Sequence, residues 1–121
     1  MSAFDPNTFS AAWNTHDIDA ILRMSTDDCE FHGSAGSAPS GNRHVGPVAV
    51  RAAYEAIFAA YPDAEWSNSR STVLGPDRVL TEWCFKGTGA DGKRIAVDGL
   101  DLLELRDGKV WIKNSYRKSV S

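Results

Sequence analysis

In the first half of the chain, apolar residues recur every three or four positions, which is the spacing of the buried face of a helix. This pattern predicts a first helix over residues 6–15 and a short second helix that is capped by Asp17. A third helix begins at Pro47, a residue type favoured in the first helical turn, and ends at Pro62. The apolar stripe of the third helix comprises Val50, Tyr54, Ile57, Phe58 and Tyr61.

In the second half, apolar and polar residues alternate with the period of two that is typical of strands. Turn residues such as Asp91-Gly92 separate the segments. The predicted strands cover residues 65–74, 78–87, 93–105 and 109–118. Helices followed by an antiparallel meander indicate an α+β fold, in which a curved sheet wraps over the long helix and leaves a cavity at its open end.

A short strand over residues 29–32 and a long loop over residues 33–46 connect the two halves. The loop consists mainly of small and polar residues. Loops of this length often act as lids or binding loops. A mobile surface excursion would have the same composition, so both interpretations stay open.

Composition narrows the class of protein. Of the 121 residues, 42% are hydrophobic and 24% are charged, and the formal net charge is -3. These values fit a single domain spanning residues 1–121. The chain has no long basic run, so no nucleic-acid partner is expected. The chain also lacks a membrane-length apolar segment and a secretory signal pattern, so we expect a cytoplasmic protein without membrane contacts.

The two cysteines, Cys29 and Cys84, form no CxxC motif and have no histidine at ligand spacing. No metal site is therefore predicted. Both cysteines lie in apolar, strand-like stretches, and we interpret them as buried free thiols rather than as a disulfide.

Several local strings, in this order and spacing, resemble the SnoaL-like superfamily, which is also called nuclear transport factor 2-like. The strings are WNTHDIDA (13–20), TDDCEFH (26–32), YPD (61–63), GLD (99–101) and RDGKV (106–110). The resemblance covers about residues 5–118. It implies a cone-shaped barrel of the α+β class, with three helices from the N-terminal half packed in a curved, mixed but mainly antiparallel sheet. It also implies a homodimer that binds a small hydrophobic or cyclic ligand and needs no cofactor.

The superfamily includes ketosteroid isomerases, polyketide cyclases, epoxide hydrolases, dehydratases and non-catalytic binding domains. Carried over by position, the general-base Asp of the isomerases falls on Gly33, and their first-helix Tyr falls on Phe9. Their second Asp, which is protonated, falls on Asp101. The acid/base Asp of the SnoaL-type cyclases falls on Lys118. The resemblance therefore fixes a fold and leaves the function open.

Four residues are candidate catalytic groups: Asp101, His32, Glu82 and Lys113. Asp101 shares its strand face with apolar residues, so its carboxylate is expected to be partly buried, as acids and oxyanion donors often are. A carboxylate paired with a basic side chain inside the sheet is the structural alternative. His32 ends the first strand beside Gly33 and is the candidate base.

Whether Glu82 and Lys113 point into the pocket depends on which face of the 78–87 and 109–118 strands is the inner one. Hydrophobicity alone would bury the Trp83 and Phe85 face of the 78–87 strand. The resemblance instead points Glu82 inward and leaves Trp83 and Phe85 as an outer apolar face suited to a dimer interface. On the last strand it points Trp111, Lys113, Ser115 and Arg117 inward. A solvated position for Glu82 and Lys113 remains the alternative.

Five residues are candidate ligand contacts: Trp13, Tyr54, Trp111, Ser115 and His44. The aromatic ones would give flat walls for a cyclic ligand, although aromatics at this spacing also serve as core. Two functional hypotheses follow. The first is a cofactor-independent isomerase, cyclase or (de)hydratase that transfers protons on a small apolar carbonyl, hydroxyl or epoxide compound. The second is a non-catalytic ligand-binding or dimerisation domain.

Overall fold

A computed structural model describes residues 4–119 and consists of three helices packed against one six-stranded sheet. The helices are α1 (Pro6–Asn14), α2 (Ile18–Arg23) and α3 (Pro47–Ala60). The strands are β1 (Ser25–His32), β2 (Arg43–Val45), β3 (Glu65–Gly75), β4 (Arg78–Thr88), β5 (Arg94–Arg106) and β6 (Lys109–Arg117). The predicted α+β architecture, with its helices in the first half of the chain, is confirmed.

The sheet is mixed and open, with the strand order β2-β1-β6-β5-β4-β3. Among the strands of residues 4–119, β1 and β6 pair in parallel and the other neighbours are antiparallel. The strand β2 lies inside the segment that was predicted as a loop, and it pairs with the end of β1. Because β1 lies between β2 and β6, the end of the first strand becomes part of the pocket wall rather than a sheet edge.

Local chemistry fixes the start of each helix. Asp5 caps α1 by accepting from the backbone N–H of Asn7, and Asp17 caps α2 by accepting from that of Ala20. Gly46 precedes α3 with a φ of 90°, and Pro47 supplies the first turn. None of these helices within residues 4–119 is both long and apolar enough to cross a lipid bilayer.

The core lies between the helices and the concave face of the sheet. It has two parts, which meet at Trp66 and Phe58. The larger part joins the helices to β1, β5 and β6 through Phe9, Ile21, Val50, Tyr54, Leu103 and Val110. The smaller part, with Trp83 and Phe85 of β4, lies toward the open end of the cone. The helices therefore cover only part of the concave face, and a cavity remains beside them.

Cys29 belongs to the inner core, whereas Cys84 is partly buried on the opposite face of the sheet. Cys29 is on β1 and Cys84 is on β4, and the strands β6 and β5 lie between these two. A disulfide between them would require a large backbone movement. Burial raises the pKa of the Cys29 thiol, so this group packs as a small apolar side chain.

Candidate functional site

The main pocket is a cavity of about 340 Å³ between the concave face of the sheet, α3 and the segment that follows β1. Aromatic and aliphatic side chains form the apolar part of its wall, and the aromatic ones are Trp13, Phe31, Tyr61, Trp66, Trp83 and Phe85. Its volume lies at the lower end of the roughly 300–1,000 Å³ found for small-molecule sites. The cavity is therefore suited to a compact, flat and largely apolar ligand.

A few polar side chains interrupt this wall, and those that carry charge are basic. Lys113, Ser115 and Arg117 come from β6, and His44 comes from β2. Within the described residues, no Asp or Glu side chain lines the main pocket. Lys113 and Arg117 can only donate hydrogen bonds to a ligand, whereas Ser115 and His44 can donate or accept.

A buried ion pair lies at the inner wall of the pocket. The Lys113 ammonium donates to Asp101 Oδ1 at 3.2 Å and to Ser115 Oγ at 2.9 Å. The Ser115 hydroxyl donates to the same carboxylate oxygen at 2.5 Å, and the Trp83 indole N–H donates to Oδ2 at 3.0 Å. Both charged residues are buried, with Lys113 at 5% and Asp101 at 7% exposure. Three donors, of which Lys113 carries a full positive charge, therefore bind the Asp101 carboxylate.

Aromatic rings complete the surroundings of the ammonium. Lys113 Nζ lies 4.4 Å from the centre of a Trp13 ring and 5.0 Å from that of Phe31. Both rings offer their electron-rich faces to the cation. Lys113 lines both the main pocket and a smaller cavity of about 20 Å³ behind it, whereas Asp101 lines only the smaller one. A ligand in the main pocket would contact Lys113 and Ser115, with Asp101 behind them.

Strand register produces this arrangement. Asp101 faces Ser115 across the β5–β6 pair, and Leu103 faces Lys113. A bulge between the Leu105–Val110 and Glu104–Ile112 pairs inserts Trp111 as an extra residue. After the bulge, Lys113, Ser115 and Arg117 all face the concave side, because alternate residues share a face.

One glycine allows the Trp83 ring to reach Asp101. A Cβ built on Gly99 would lie 2.4 Å from the Trp83 ring and 2.5 Å from the Tyr116 carbonyl oxygen. Gly99 is the cross-strand partner of Trp83. The indole therefore lies over the β5 backbone, and its N–H meets the Asp101 carboxylate, which is two register pairs further along on the same face.

The prediction that Glu82 faces the pocket is wrong, and so is the prediction of an outer face made of Trp83 and Phe85. Both aromatic residues are buried and line the pocket, while Glu82 lies on the convex face and pairs with Arg70 at 2.9 Å. The simple alternation of β4 already indicated this facing. The resemblance reversed it, since a strand placed one residue out of register exchanges its two faces.

His32 also lies outside the pocket. Its Nε2 is 3.0 Å from Glu30 Oε1, and the same oxygen accepts from Arg43. Neighbouring residues of β1 point to opposite faces, and Phe31 points inward. His32 therefore cannot act as a base inside the pocket. The pocket imidazole is His44, whose ring stacks on Phe31 with the centroids 5.6 Å apart.

The remaining predicted contacts divide into two groups. Trp13 and Ser115 line the pocket with His44. Tyr54 and Trp111 do not line it. Tyr54 lies in the core beneath, 4.6 Å from Trp13 between ring centroids, and its burial raises the pKa of the phenol well above its usual value. Trp111 is the bulge residue and packs under the Arg106 guanidinium at 5.1 Å.

Other pocket residues were not among the predicted contacts. They include Phe31, Tyr61, Trp66, and the loop residues Ser34, Ala35 and Asn42. The loop after β1 thus forms part of the pocket mouth. Within the part of the chain that the structure describes, no cluster of three or more metal-ligating side chains occurs.

The sequence of the chain matches the SnoaL-like domain family over residues 7–112. The chain is a member of the SnoaL-like family. A search of curated protein sequences finds no significant match.

Solved structures show the same nuclear transport factor 2-like fold as this SnoaL-like domain. A candidate polyketide cyclase from Xanthomonas campestris has 20% identity and a TM-score of 0.78, with 91% of this chain and 84% of that chain covered. A nuclear transport factor 2-like protein of unknown function from Mesorhizobium loti has 27% identity and a TM-score of 0.73, covering 93% and 87%. TerC, co-crystallised with polyporic acid, has 19% identity and a TM-score of 0.78, covering 93% and 87%.

Proposed function

We propose that this SnoaL-like domain binds a flat, largely apolar small molecule in the main pocket and catalyses a proton transfer on it without a cofactor. The reaction class is isomerisation, cyclisation or (de)hydration of a carbonyl, hydroxyl or epoxide compound. The observation that carries the proposal is the Lys113 ammonium, buried at the inner wall of a largely apolar pocket. The chain shares its fold with a candidate polyketide cyclase and with TerC, which was co-crystallised with polyporic acid.

Lys113 is the proposed electrophilic group. An ammonium in a desolvated pocket stabilises negative charge that develops on a carbonyl oxygen, because little water is present to screen it. Two of its three N–H groups have hydrogen-bond partners, Asp101 and Ser115, so one can be donated to a ligand oxygen. Asp101 does not touch the ligand in this scheme and acts as a positioning residue, holding the ammonium in place.

His44 is the proposed proton-transfer group. An imidazole readily takes or gives a proton near neutral pH. Phe31 is the cross-strand partner of both His44 and Lys113. A ketone packed on the Phe31 ring would meet the imidazole on one side and the ammonium on the other. His44 would take the α-proton, the C–H electron pair would form the enolate double bond, and Lys113 would stabilise the oxyanion until the proton returns.

Exchange of an α-proton tests this proposal without knowledge of the natural substrate. The probe is 2-acetylnaphthalene in D2O, and the readout is the loss of its methyl proton signal in NMR. We expect the wild-type protein to accelerate the exchange and His44→Gln to reduce it by about a hundredfold, the usual contribution of a positioned acid or base. His32→Gln is the matched control, because it removes an imidazole outside the pocket. Binding of the ketone with no accelerated exchange would contradict the enzyme hypothesis.

The Asp101–Lys113 pair also favours the second candidate, a non-catalytic binding domain. A carboxylate with three donors is arranged as a stable structural group, and the isomerase positions that fall on Gly33 and Phe9 hold no acid or hydroxyl. In that case the ketone would bind, and exchange would stay at the rate measured in buffer.

We further propose that the chain forms a homodimer through the convex face of the sheet. Adjacent residues of β4, β5 and β6 place an apolar cluster there: Leu80, Leu100, Leu102, Ile112 and Tyr116. Tyr116 is 52% exposed, and the three leucines are partly buried. An apolar cluster on an uncovered sheet face is typical of an interface.

A further inference from the structure

We propose that the ligand of the main pocket is an aromatic anion, with a carboxylate or an ionised enol that Arg117 binds at the pocket mouth. This inference rests on the proposed function, because it assigns a substrate class to the same pocket. It is independent of whether the bound molecule is turned over.

The charge of the pocket wall is the first argument. Lys113 is neutralised by Asp101, which lies 3.2 Å from its ammonium. Arg117 also lines the pocket, and it forms no salt bridge within the described residues. Among residues 4–119 no acidic side chain lines the main pocket, so the Arg117 charge has no carboxylate partner in that part of the chain. An anionic ligand would supply the compensating charge.

The placement of Arg117 is the second argument. Its guanidinium lies 5.0 Å from the centre of the Phe85 ring, and Phe85 itself lines the pocket. The ring supports the planar guanidinium without using its N–H donors, which stay available for two parallel bonds to a carboxylate. A ligand whose rings pack among the aromatic wall would thus present its acid group at the mouth.

An excess of donors is the third argument. The Trp13 indole nitrogen is buried and has no hydrogen-bond partner within the described residues. Trp13 lines both the main pocket and the small cavity. With the remaining N–H of Lys113, two buried donors beside these cavities have no hydrogen-bond partner among the described residues, and leaving a buried donor unpaired is costly. An oxygen-rich anion, such as a hydroxylated aromatic acid, complements this wall better than an amine or a hydrocarbon.

A matched pair of probes tests the inference, because 2-naphthoate and 2-naphthamide have the same shape and differ in charge. The pocket contains three tryptophans, so quenching of intrinsic fluorescence reports binding. We expect 2-naphthoate to bind roughly tenfold or more tightly than 2-naphthamide, as a charge-assisted hydrogen bond predicts. The preference should fall as NaCl rises from about 0.05 to 0.5 M.

Substitution of the arginine locates the source of the preference. Arg117→Gln should abolish the preference for 2-naphthoate, with a loss of affinity for 2-naphthoate that is much larger than the loss for 2-naphthamide. Arg70→Gln, on the convex face, is the control and should keep the preference. Equal affinity of the wild-type protein for both probes would overturn the anion inference while leaving the proposed proton transfer intact. A preference that survives in Arg117→Gln would also overturn it, and binding of neither probe would refute the pocket on which both proposals depend.

Discussion

At the scale of single residues, the Lys113–Asp101 pair dominates the energetics of the site. Burying two charges is costly, and their attraction offsets the cost only when the remaining donors and acceptors are also paired. Here Ser115 and Trp83 complete the hydrogen bonds of the carboxylate. The aromatic rings over the ammonium add a second source of stabilisation. Breaking one partner should therefore cost far more than removing both.

A double-mutant cycle tests this expectation. Asp101→Asn leaves a buried ammonium without a counter-ion, and Lys113→Met leaves a buried carboxylate without one. We expect each single change to lower the free energy of unfolding by about 3–5 kcal/mol. The combined variant should lose clearly less than the sum, since no unpaired charge remains. Chemical denaturation monitored by circular dichroism measures all four proteins.

The exposed pair of Arg70 and Glu82 gives the control for this cycle. Their side chains are 76% and 42% exposed, so Glu82→Gln should change the free energy of unfolding by less than about 1 kcal/mol. Additive losses in the Asp101 and Lys113 variants would mean that the two charges do not stabilise each other.

Residue-level prediction succeeded where neighbours on the same face carried the information. The apolar neighbours of Asp101 on β5 correctly predicted its burial. Trp111 was assigned to the wrong environment because the bulge on β6 shifts the alternation by one residue. No side-chain pattern in residues 109–118 marks that bulge. Its position becomes visible only when β5 and β6 are paired.

At the scale of elements, the segment between β1 and β2 controls the pocket mouth. Backbone bonds hold it closed at its base: Gly33 N–H donates to Asn42 O, and Asn42 N–H donates to Ala35 O. Gly41 adopts a φ of 72°, and a Cβ there would lie 2.1 Å from the Gly33 carbonyl oxygen. The backbone conformation of this segment therefore requires glycine at position 41.

Gly41→Ala should weaken ligand binding more than it weakens the fold. The methyl group would push the Gly33 backbone and displace Ser34 and Ala35, which line the pocket. Fluorescence titration with 2-naphthoate should show a clear rise in Kd. Gly92→Ala is the matched control, because Gly92 has a φ of 78° and no heavy atom within 4 Å of the added Cβ. Both variants share a backbone strain of about 1–2 kcal/mol, so equal effects on Kd would contradict this role for the segment.

The edge formed by β1 and β2 contains a charge cluster that links stability to pH. A hydrogen bond from His32, followed by the contacts with Arg43, lowers the pKa of Glu30 below its ordinary value of 4.5. A carboxyl whose folded pKa is depressed stabilises the fold above its unfolded pKa. That contribution is lost as the pH falls through the lower folded value.

Arg43→Gln should therefore destabilise the protein at pH 7 and much less in acid. The expected loss at pH 7 is about 1 kcal/mol or less, because the Arg43 side chain is 55% exposed. Wild-type and variant denaturation curves, compared from pH 7 down to below the ordinary pKa of Glu30, give the difference directly. A difference that stays constant over this range would show that Glu30 does not use Arg43 in the folded state.

Element prediction was accurate for α1, α3 and the four long strands, because each shows several turns or alternating pairs of periodic residues. The six-residue α2 was located from its Asp17 cap and one short apolar face, and β1 begins at Ser25 rather than at the predicted Cys29. The strand β2 has only the three residues Arg43–Val45, too few to show alternation. Its existence depends on pairing with β1, which the local sequence does not encode. His44 was a candidate ligand contact on the argument that a residue of the long loop could reach the mouth of the pocket, and it does line the pocket.

At the scale of the whole molecule, the two faces of the sheet differ in the residues that they carry and in what covers them. The concave face holds the core and the pocket, while the convex face carries the leucine and tyrosine cluster together with charged pairs such as Arg70–Glu82. The homodimer stays a prediction, and the outer Trp83 and Phe85 face that was its structural rationale is replaced by the convex cluster. Trp83 and Phe85 are on the pocket side, and the proposed interface consists of the residues that alternate with them.

Leu102→Asp tests that interface, since Leu102 lies at the centre of the convex cluster and pairs with Leu80 and Asn114 across its neighbouring strands. A stable dimer buries about 800 Å² on each partner, and a carboxylate at its centre would lose its hydration without gaining a partner. We expect the wild-type protein to have the mass of a dimer in light scattering and Leu102→Asp to have that of a folded monomer. Val48→Asp is the control, because Val48 is 87% exposed and belongs to helix α3 rather than to the convex face of the sheet. Because the pocket opens on the opposite side of the sheet, binding of 2-naphthoate should survive in the monomeric variant. If the wild-type protein is a monomer, or if Leu102→Asp remains a dimer, the convex face is not the interface.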